Sequence, residues 1–293
     1  MKKILALLLV VCALFGLVSC GEKEYSLGIG VAVTPNAAGL SAAETVAAVV
    51  LDGDGKIVSC RIDTIEVALT VNDDGTVDTS KTYSSKAEKG DDYGMSAIGK
   101  DEWYKQAQAF EKYVVGKTAS EVSAINGSDS TLIAGCTINA VDFVKAVTAA
   151  CNDNYKVGFE TKGDITLGVS TVAAVADKES KGEITVDFGA VAMVDGKAVA
   201  ATVDCAVVTI AFNAEKEGTD VSFDGTKRAQ GDDYGMSAIG KVEWYKQAQA
   251  FADLAVGKSA TEIAAIGLKD AASCTIYAGS MKQALDKAAK AVR

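Results

Sequence analysis

The sequence GDDYGMSAIGK at residues 90–100 recurs letter for letter at residues 231–241. The match continues through EWYKQAQAF, so that only Asp101 and Val242 differ across the 21 positions of 90–110 and 231–251. The copies start about 140 residues apart, a period far longer than the 20–50 residues of solenoid repeats. The sequence therefore predicts a tandem duplication of a whole folded unit.

The first half of each copy favours β-strands. Valine and isoleucine are concentrated at residues 27–34, 45–51 and 57–71 in copy one, and at 184–194 and 198–212 in copy two. Turn residues separate these runs. They are 52–55 (Asp-Gly-Asp-Gly) in copy one and Asp195-Gly196 in copy two, a pair that favours a type I′ turn. We expect antiparallel hairpins in both copies.

The second half of each copy favours helices. Trp103, Ala107, Phe110 and Val114 recur at spacings of four, three and four, which places them on one helix face. Capping-box patterns predict further short helices, and an Ala- and Val-rich segment predicts a last helix in each copy. These segments begin at 118 and 259 for the capping boxes, and span 141–150 and 280–292 for the last helices.

The predicted fold class is α+β, with two tandem copies of an antiparallel sheet covered by helices. The first copy covers residues 25–151 and the second covers 155–293, with a polar turn at 152–154 between them. Each copy contains its own hairpin, helices and apolar faces. We therefore expect each copy to bury a core of its own and to fold separately.

The N-terminal segment has the pattern of an export signal. Lys2 and Lys3 precede an apolar run of 14 residues at 4–17, shorter than the about 20 residues that span a bilayer. The sequence at 17–20, Leu-Val-Ser-Cys, resembles the lipobox of bacterial lipoproteins. The resemblance implies a signal peptide at 1–19, a diacylglycerol on Cys20, a short tether at 20–24, and a lipid-anchored location on the outer face of the cell membrane. Ordinary secretory cleavage after Ser19 is the alternative.

Composition excludes several classes of function. Without Lys2 and Lys3, 27 basic residues remain against 39 acidic ones, a net charge of −12 that repels nucleic-acid phosphates. The chain has no histidine, which removes Ser-His-Asp and Cys-His catalysis and zinc sites containing histidine. The cysteines that follow Cys20 have no metal-ligand spacing, and we expect buried thiols, with a Cys136–Cys151 bridge as the alternative. They are Cys60, Cys136, Cys151, Cys205 and Cys274.

The repeated block is the first candidate binding site. Its loop contains aromatic, thioether and glycine residues and ends on a lysine suited to contact an anion. Tyr93 and Trp103, with Tyr234 and Trp244 in copy two, are candidates to stack on a flat heteroaromatic ring. Core packing is the alternative for the tryptophans, and recent gene conversion would also explain the identity. Paired aspartates at 91–92 and 232–233 are two carboxylates of a cation site at most, and a solvated loop explains them better.

The order of elements in each copy resembles the FMN-binding domain of exported flavoproteins and of flavin subunits in ion-pumping redox complexes. In that family a Ser-Gly-Ala-Thr turn precedes a helix, and a flavin transferase esterifies the threonine hydroxyl to FMN phosphate. The matching turns here are Ala-Gly-Cys-Thr at 134–137 and Ala-Ser-Cys-Thr at 272–275. The resemblance implies FMN bound through Thr137 and Thr275, covalently or non-covalently, with each threonine at the start of the last helix.

Two functions follow as hypotheses. The first is an extracytoplasmic electron carrier with up to two FMN groups, which exchanges electrons with a membrane quinone oxidoreductase. The second is a non-enzymatic surface lipoprotein that binds a ligand or has a structural role in the envelope. Either function makes the chain a carrier or binding protein rather than a catalyst, because no His-based nucleophile pair is available.

Overall fold

The computed structural model of the chain describes residues 22–271 and 274–293. The predicted signal peptide at 1–19 and the predicted lipidation site Cys20 lie outside the described residues. So do Ala272 and Ser273, which belong to the second threonine turn. Within the described ranges, no helix is long and apolar enough to cross a membrane.

Eight strands form two four-stranded sheets. The first sheet contains β1 (Lys23–Asn36), β2 (Ser41–Asp52), β3 (Ile57–Ala68) and β4 (Val157–Thr161). The second contains β5 (Thr166–Asp177), β6 (Lys181–Val194), β7 (Lys197–Phe212) and β8 (Gly218–Ser222). The orders are β3-β2-β1-β4 and β5-β6-β7-β8, and every pairing is antiparallel. The predicted antiparallel sheet in each copy is confirmed.

Helices follow the strands in each copy, as predicted. Copy one has α1 (Lys86–Lys89), α2 (Trp103–Val114), α3 (Ala119–Ser123) and α4 (Val141–Cys151). Copy two has α5 (Lys227–Gln230), α6 (Trp244–Ala252), α7 (Ala260–Ala264) and α8 (Gly279–Lys290). Both predicted capping boxes form, because the side chains of Thr118 and Ser259 accept hydrogen bonds from the N–H groups of Glu121 and Glu262.

Local sequence also determines the hairpin turn of copy two. Asp195 and Gly196 connect β6 to β7, and both have positive φ angles of 50° and 74°. A type I′ turn requires positive φ at both central residues, and its twist matches that of the flanking strands.

The two sheets pack face to face, and helices cover the outer face of each sheet. The core between the sheets contains Leu27 and Ile65 from the first sheet with Phe188 and Ile210 from the second. A separate core lies beneath the helices of each copy. The helix α4 lies so close to β1 that a Cβ at Gly30 would overlap the backbone of α4. The result is a four-layer helix–sheet–sheet–helix arrangement.

The central core is an addition to the core of its own that each copy is expected to bury. Each copy does have an outer core, but the inner faces of both sheets are apolar and cover each other. The strand β4, which follows the predicted boundary at 152–154, pairs with β1 of the first sheet. A buried ion pair of 3.2 Å ties Arg228 of copy two to Asp153 in the connecting turn, and Asp153 also accepts a hydrogen bond from the Ile29 N–H of copy one at 3.3 Å. The two halves are therefore packed as one body.

The five cysteines in the described part of the chain are free thiols, so the alternative Cys136–Cys151 bridge is not formed. Cys274 is half-buried and the other four are buried. Burial raises the pKa of the Cys151 thiol to about 11 and that of Cys60 well above its ordinary value. Protonated, enclosed thiols of this kind behave as small apolar side chains.

Candidate functional site

The repeated loop has the same backbone conformation in both copies. It forms two short 3-10 segments, Gly90–Tyr93 and Met95–Ile98 in copy one, with Gly231–Tyr234 and Met236–Ile239 in copy two. Gly94 and Gly235, which separate the segments, have φ angles of 83° and 82°. This left-handed conformation strains any residue with a Cβ, so the loop requires glycine there.

A buried glutamate holds each loop against the helix that follows it. The Glu102 carboxylate accepts hydrogen bonds from the backbone N–H groups of Met95 and Ser96, at 3.0 and 2.9 Å. Glu243 makes the same bonds in copy two, at 3.0 and 2.8 Å. The hydrogen bonds that these carboxylates accept from Ser96 and Ser237 hold the pKa of Glu102 and that of Glu243 below the ordinary value. The loop is therefore fixed by the chain itself.

A buried glutamine connects each loop to its threonine turn. The Gln247 side-chain oxygen accepts bonds from the Thr275 backbone N–H and hydroxyl at 2.7 and 2.9 Å, and its Nε2 donates to the Val242 carbonyl at 2.6 Å. In copy one, Gln106 bonds to Thr137 with distances of 2.8 and 3.1 Å. Sequence reasoning missed these roles. The available signal was a glutamine on the apolar face of each helix, Gln106 beside Ala107 in α2 and Gln247 beside Ala248 in α6.

The threonines do not lie where the family resemblance places them. Thr137 and Thr275 are exposed and precede α4 and α8 by four residues. The residues at the N-caps of these helices are Ala140 and Ala278, which provide no side-chain cap. The expectation of a threonine at the helix start is wrong, because an intervening turn separates the two. The N–H groups of the helix are therefore not directly beside either hydroxyl.

The two tryptophans are mainly core residues. Trp103 and Trp244 are each only 4% exposed. The Trp103 ring packs edge-on against Phe143, with ring centroids 5.6 Å apart. The packing interpretation of these side chains is therefore correct, although one side of each ring also borders a cavity.

The second copy contains a cavity of about 540 Å³ between the repeated loop, the threonine turn and the outer face of the second sheet. Tyr234, Trp244 and Thr275, three of the predicted site residues, all line it. Two lysines, Lys227 and Lys241, contribute positive charge. The structure thus brings together residues that lie 41 positions apart in the chain.

The first copy has a related cavity of about 410 Å³, lined by Tyr93, Trp103 and Lys86 among others. Thr137 is not one of the residues that line it. Phe143 lies in copy one at the place in the last helix that Met281 has in copy two, and it packs against Trp103. The cavity of copy one is therefore smaller and does not include its threonine.

Charges in the copy-two cavity are partly buried. The Lys227 ammonium lies 5.6 Å from the ring centroids of both Tyr234 and Trp244, within the range of a cation–π contact. Asp187 on the cavity floor is 6% exposed. Burial raises the pKa of Asp187, and the Ser280 hydroxyl and the Lys227 ammonium oppose that rise. The copy-two cavity thus combines a buried acidic group on its floor with a half-buried basic group above it.

The described residues contain no cluster of three or more Asp, Glu, Cys or His side chains placed to hold a metal ion. In the aspartate pairs, Asp91 and Asp232 accept hydrogen bonds from the Tyr104 and Tyr245 hydroxyls at 3.1 Å. These carboxylates are exposed and stabilise the loop, in agreement with the solvated-loop interpretation.

The copy-two cavity combines three kinds of chemical group. Aromatic side chains line one part, lysines supply positive charge for a phosphate, and a threonine hydroxyl lies at the edge. A planar apolar ring with an anionic tail requires groups of these types. The chain matches no protein-family model, no curated protein and no solved structure.

Proposed function

We propose that the chain binds FMN and serves as an extracytoplasmic electron carrier, held at the membrane by lipid on Cys20. The observation that carries the proposal is the convergence of Tyr234, Trp244 and Thr275 on one cavity with Lys227 and Lys241. In the sequence, the tyrosine loops and the threonine turns are separate candidates, because the tyrosines could stack on a ring and the threonines could hold a phosphate. In copy two, one such loop and one such turn line the same cavity.

The size and chemistry of the cavity support a small planar ligand. Its volume of about 540 Å³ lies within the roughly 300–1,000 Å³ typical of sites for small molecules and cofactors. Tyr234 is only partly covered and would contact a ring, while Lys241 would contact a phosphate. FMN supplies the electron chemistry when bound, and the protein binds it, orients it and limits its contact with water.

The threonine hydroxyls remain the proposed attachment points. Thr275 is an exposed residue that lines the copy-two cavity, and its hydroxyl donates a hydrogen bond to Gln247 at 2.9 Å. Thr137 has the same bond at 3.1 Å and lies beside, not within, the smaller cavity. Attachment through the phosphate at Thr275, or non-covalent binding at the same place, would both leave the ring free to enter the cavity.

The proposed location and redox partner rest on the sequence. The lipobox-like residues 17–20 support a lipid anchor, and a carrier anchored in this way would exchange electrons with a membrane quinone oxidoreductase. The net charge of −12 in the mature chain opposes binding to nucleic acid.

One observation favours the alternative, a ligand-binding or structural surface lipoprotein. Ile239 and Tyr277 border the copy-two cavity and are 70% and 79% exposed. Large exposed apolar side chains around a cavity are typical of a surface that contacts another molecule. A partner that covers this rim would not need flavin at all.

A flavin titration separates the two functions. We expect residues 22–293, purified without flavin, to quench the fluorescence of added FMN and to shift its absorption spectrum. Tyr234→Ala should weaken FMN binding about tenfold, because it removes an aromatic ring from the copy-two cavity. The matched variant Tyr93→Ala in copy one should leave FMN binding at the copy-two cavity unchanged. After expression with an exported flavin transferase, peptide mass mapping tests Thr137 and Thr275. A folded protein that neither quenches FMN nor carries a modified peptide would contradict the proposal and favour the surface lipoprotein.

A further inference from the structure

The outer faces of the two sheets differ at one pair of positions on neighbouring strands, and only in copy two does this pair line the cavity. In copy one, Thr45 on β2 pairs with Thr64 on β3, and their hydroxyl oxygens are 2.8 Å apart. In copy two, the corresponding cross-strand pair is Asp187 on β6 and Cys205 on β7. The two hydroxyls satisfy each other, whereas the Asp187 carboxylate has more acceptor sites than the single S–H group of Cys205 can fill.

The Asp187 carboxylate takes no part in holding the backbone. Its neighbours are the Ser280 hydroxyl, the Cys205 thiol and the Lys227 ammonium. Asp204, on the adjacent strand, shows the contrast: it accepts hydrogen bonds from two backbone N–H groups, those of Cys205 and Arg228. Asp204 is therefore a structural carboxylate, whereas Asp187 is directed into the cavity.

The lysine above the floor also differs between the copies. In copy one, Lys86 forms a salt bridge with Glu66 at 2.6 Å. In copy two, Val207 lies at the position of Glu66, three residues after the structural aspartate, and Lys227 forms no salt bridge within the described residues. The lysine of copy one is thus held by a carboxylate of the sheet, whereas Lys227 lies among the groups that line the copy-two cavity, Asp187, Cys205 and Tyr234.

A buried charge whose hydrogen-bonding sites are only partly filled is costly, and a bound ligand that fills the remaining sites lowers that cost. A carboxylate only accepts hydrogen bonds, and an ammonium group only donates them. Asp187 and Lys227 therefore complement a ligand edge on which an N–H donor stands beside a carbonyl acceptor. The aromatic side chains Tyr234 and Trp244 on the adjoining wall require that this edge belong to a planar ring.

We infer that copy two is the selective binding site, and that Asp187 and Lys227 recognise the cyclic imide edge of a planar heteroaromatic ligand. The inference rests on the proposed function and extends it, because the pyrimidine ring of a flavin carries an imide N–H between two carbonyl groups. Copy one, with its self-paired threonines and its paired lysine, lacks this recognition.

Fluorescence titration with two flavins tests the inference. Riboflavin has the imide N–H, and N3-methylriboflavin has a methyl group in its place. We expect the protein to bind N3-methylriboflavin about tenfold more weakly or worse, since a hydrogen bond to a charged group is lost. Asp187→Thr, which installs the residue of copy one, should weaken riboflavin binding by a similar factor and remove the difference between the two flavins.

A second variant keeps the test valid if Asp187→Thr does not fold. Val207→Glu places on β7 the glutamate that copy one has at Glu66. The new carboxylate should pair with Lys227 and thereby weaken riboflavin binding. Glu66→Val in copy one is the matched control and should not change the copy-two affinity. Equal binding of both flavins, unaffected by either copy-two variant, would overturn the inference and leave the proposed function standing. No binding of any flavin would overturn both.

Discussion

The side-chain oxygen of Gln247 accepts two hydrogen bonds from Thr275, one from its backbone N–H at 2.7 Å and one from its hydroxyl at 2.9 Å. The glutamine belongs to the repeated block and the threonine to a separate turn. This pair therefore couples the two segments that form the copy-two cavity, and its loss should alter the cavity before it alters the rest of the fold.

We predict that Gln247→Ala lowers stability and weakens flavin binding together. The partly buried N–H of Thr275 loses its acceptor, which costs about 1 kcal/mol. Thr275→Val removes only the hydroxyl bond and should cost less. Thermal unfolding combined with flavin titration measures both effects. Gln106→Ala is the control in copy one: a drop in stability with normal copy-two binding is expected, and a loss of that binding would contradict separate sites.

Arg228→Ala should be strongly destabilising. The side chains of Arg228 and Asp153 are 2% and 4% exposed, and their ion pair, with the bond that Asp153 accepts from the Ile29 N–H, connects the two copies. Removal of one partner of a buried pair leaves a buried charge and costs about 3–5 kcal/mol. Urea unfolding measures the change. Lys290→Ala, which removes an exposed pair with Asp286, should change stability by less than about 1 kcal/mol. Similar effects for both variants would show that the copies are not joined through Arg228.

Glu44 should make stability fall as pH rises. Glu44 faces the core between the sheets, and neither of its carboxyl oxygens has a hydrogen-bond partner among the described residues. Burial, and to a smaller extent the negative charge of Asp187, raises the pKa of Glu44 from 4.5 to about 8. The folded state therefore holds a proton that the unfolded state releases, so stability is highest below pH 4.5 and is lost progressively up to pH 8.

Glu44→Gln removes this titration. The variant should match the wild type at pH 4 and exceed it at pH 8 by up to roughly 5 kcal/mol. Denaturant unfolding across this range measures the difference. Burial also raises the pKa of Asp63 to about 7 and that of Asp204 to about 6. Both aspartates lower stability as pH rises in the wild type and in the variant alike, so their effect cancels in the difference between the two proteins. A constant difference between pH 4 and pH 8 would contradict the role of Glu44.

Separate fragments should associate. Residues 22–161 and 164–293 keep each sheet whole, but each fragment exposes the apolar inner face that the other covers in the full chain. Burial of apolar surface favours their recombination. Size-exclusion chromatography of the fragments, alone and mixed, tests this expectation. Two monomeric fragments that unfold cooperatively and do not associate would instead support the separate folding expected from the sequence.

Cys20→Ala should move the protein from the membrane to the soluble fraction. The lipobox-like sequence at 17–20 provides the proposed anchor, and the described helices provide no span. Membrane fractionation with fatty-acid labelling tests it. Label that persists on the variant would show that lipid is attached elsewhere or that Cys20 is not the site.

The sequence by itself determined the features that depend on neighbouring residues. The duplication is visible as repeated letters, the turn at Asp195-Gly196 follows from its two residues, and the capping boxes at Thr118 and Ser259 follow from residues three positions apart. Periodicity placed α2 because the pitch of the helix sets which side chains share a face, and composition rich in Ala and Val placed α4.

Only the tertiary structure decided the features that depend on residues far apart in the chain. The pairing of β4 with β1, the shared core between the sheets and the link from Gln247 to Thr275 each join segments that no local pattern connects. The same reason applies to the cavity floor. Strand register places Asp187 opposite Cys205, and a register shift of one residue would have turned either side chain to the other face of its sheet.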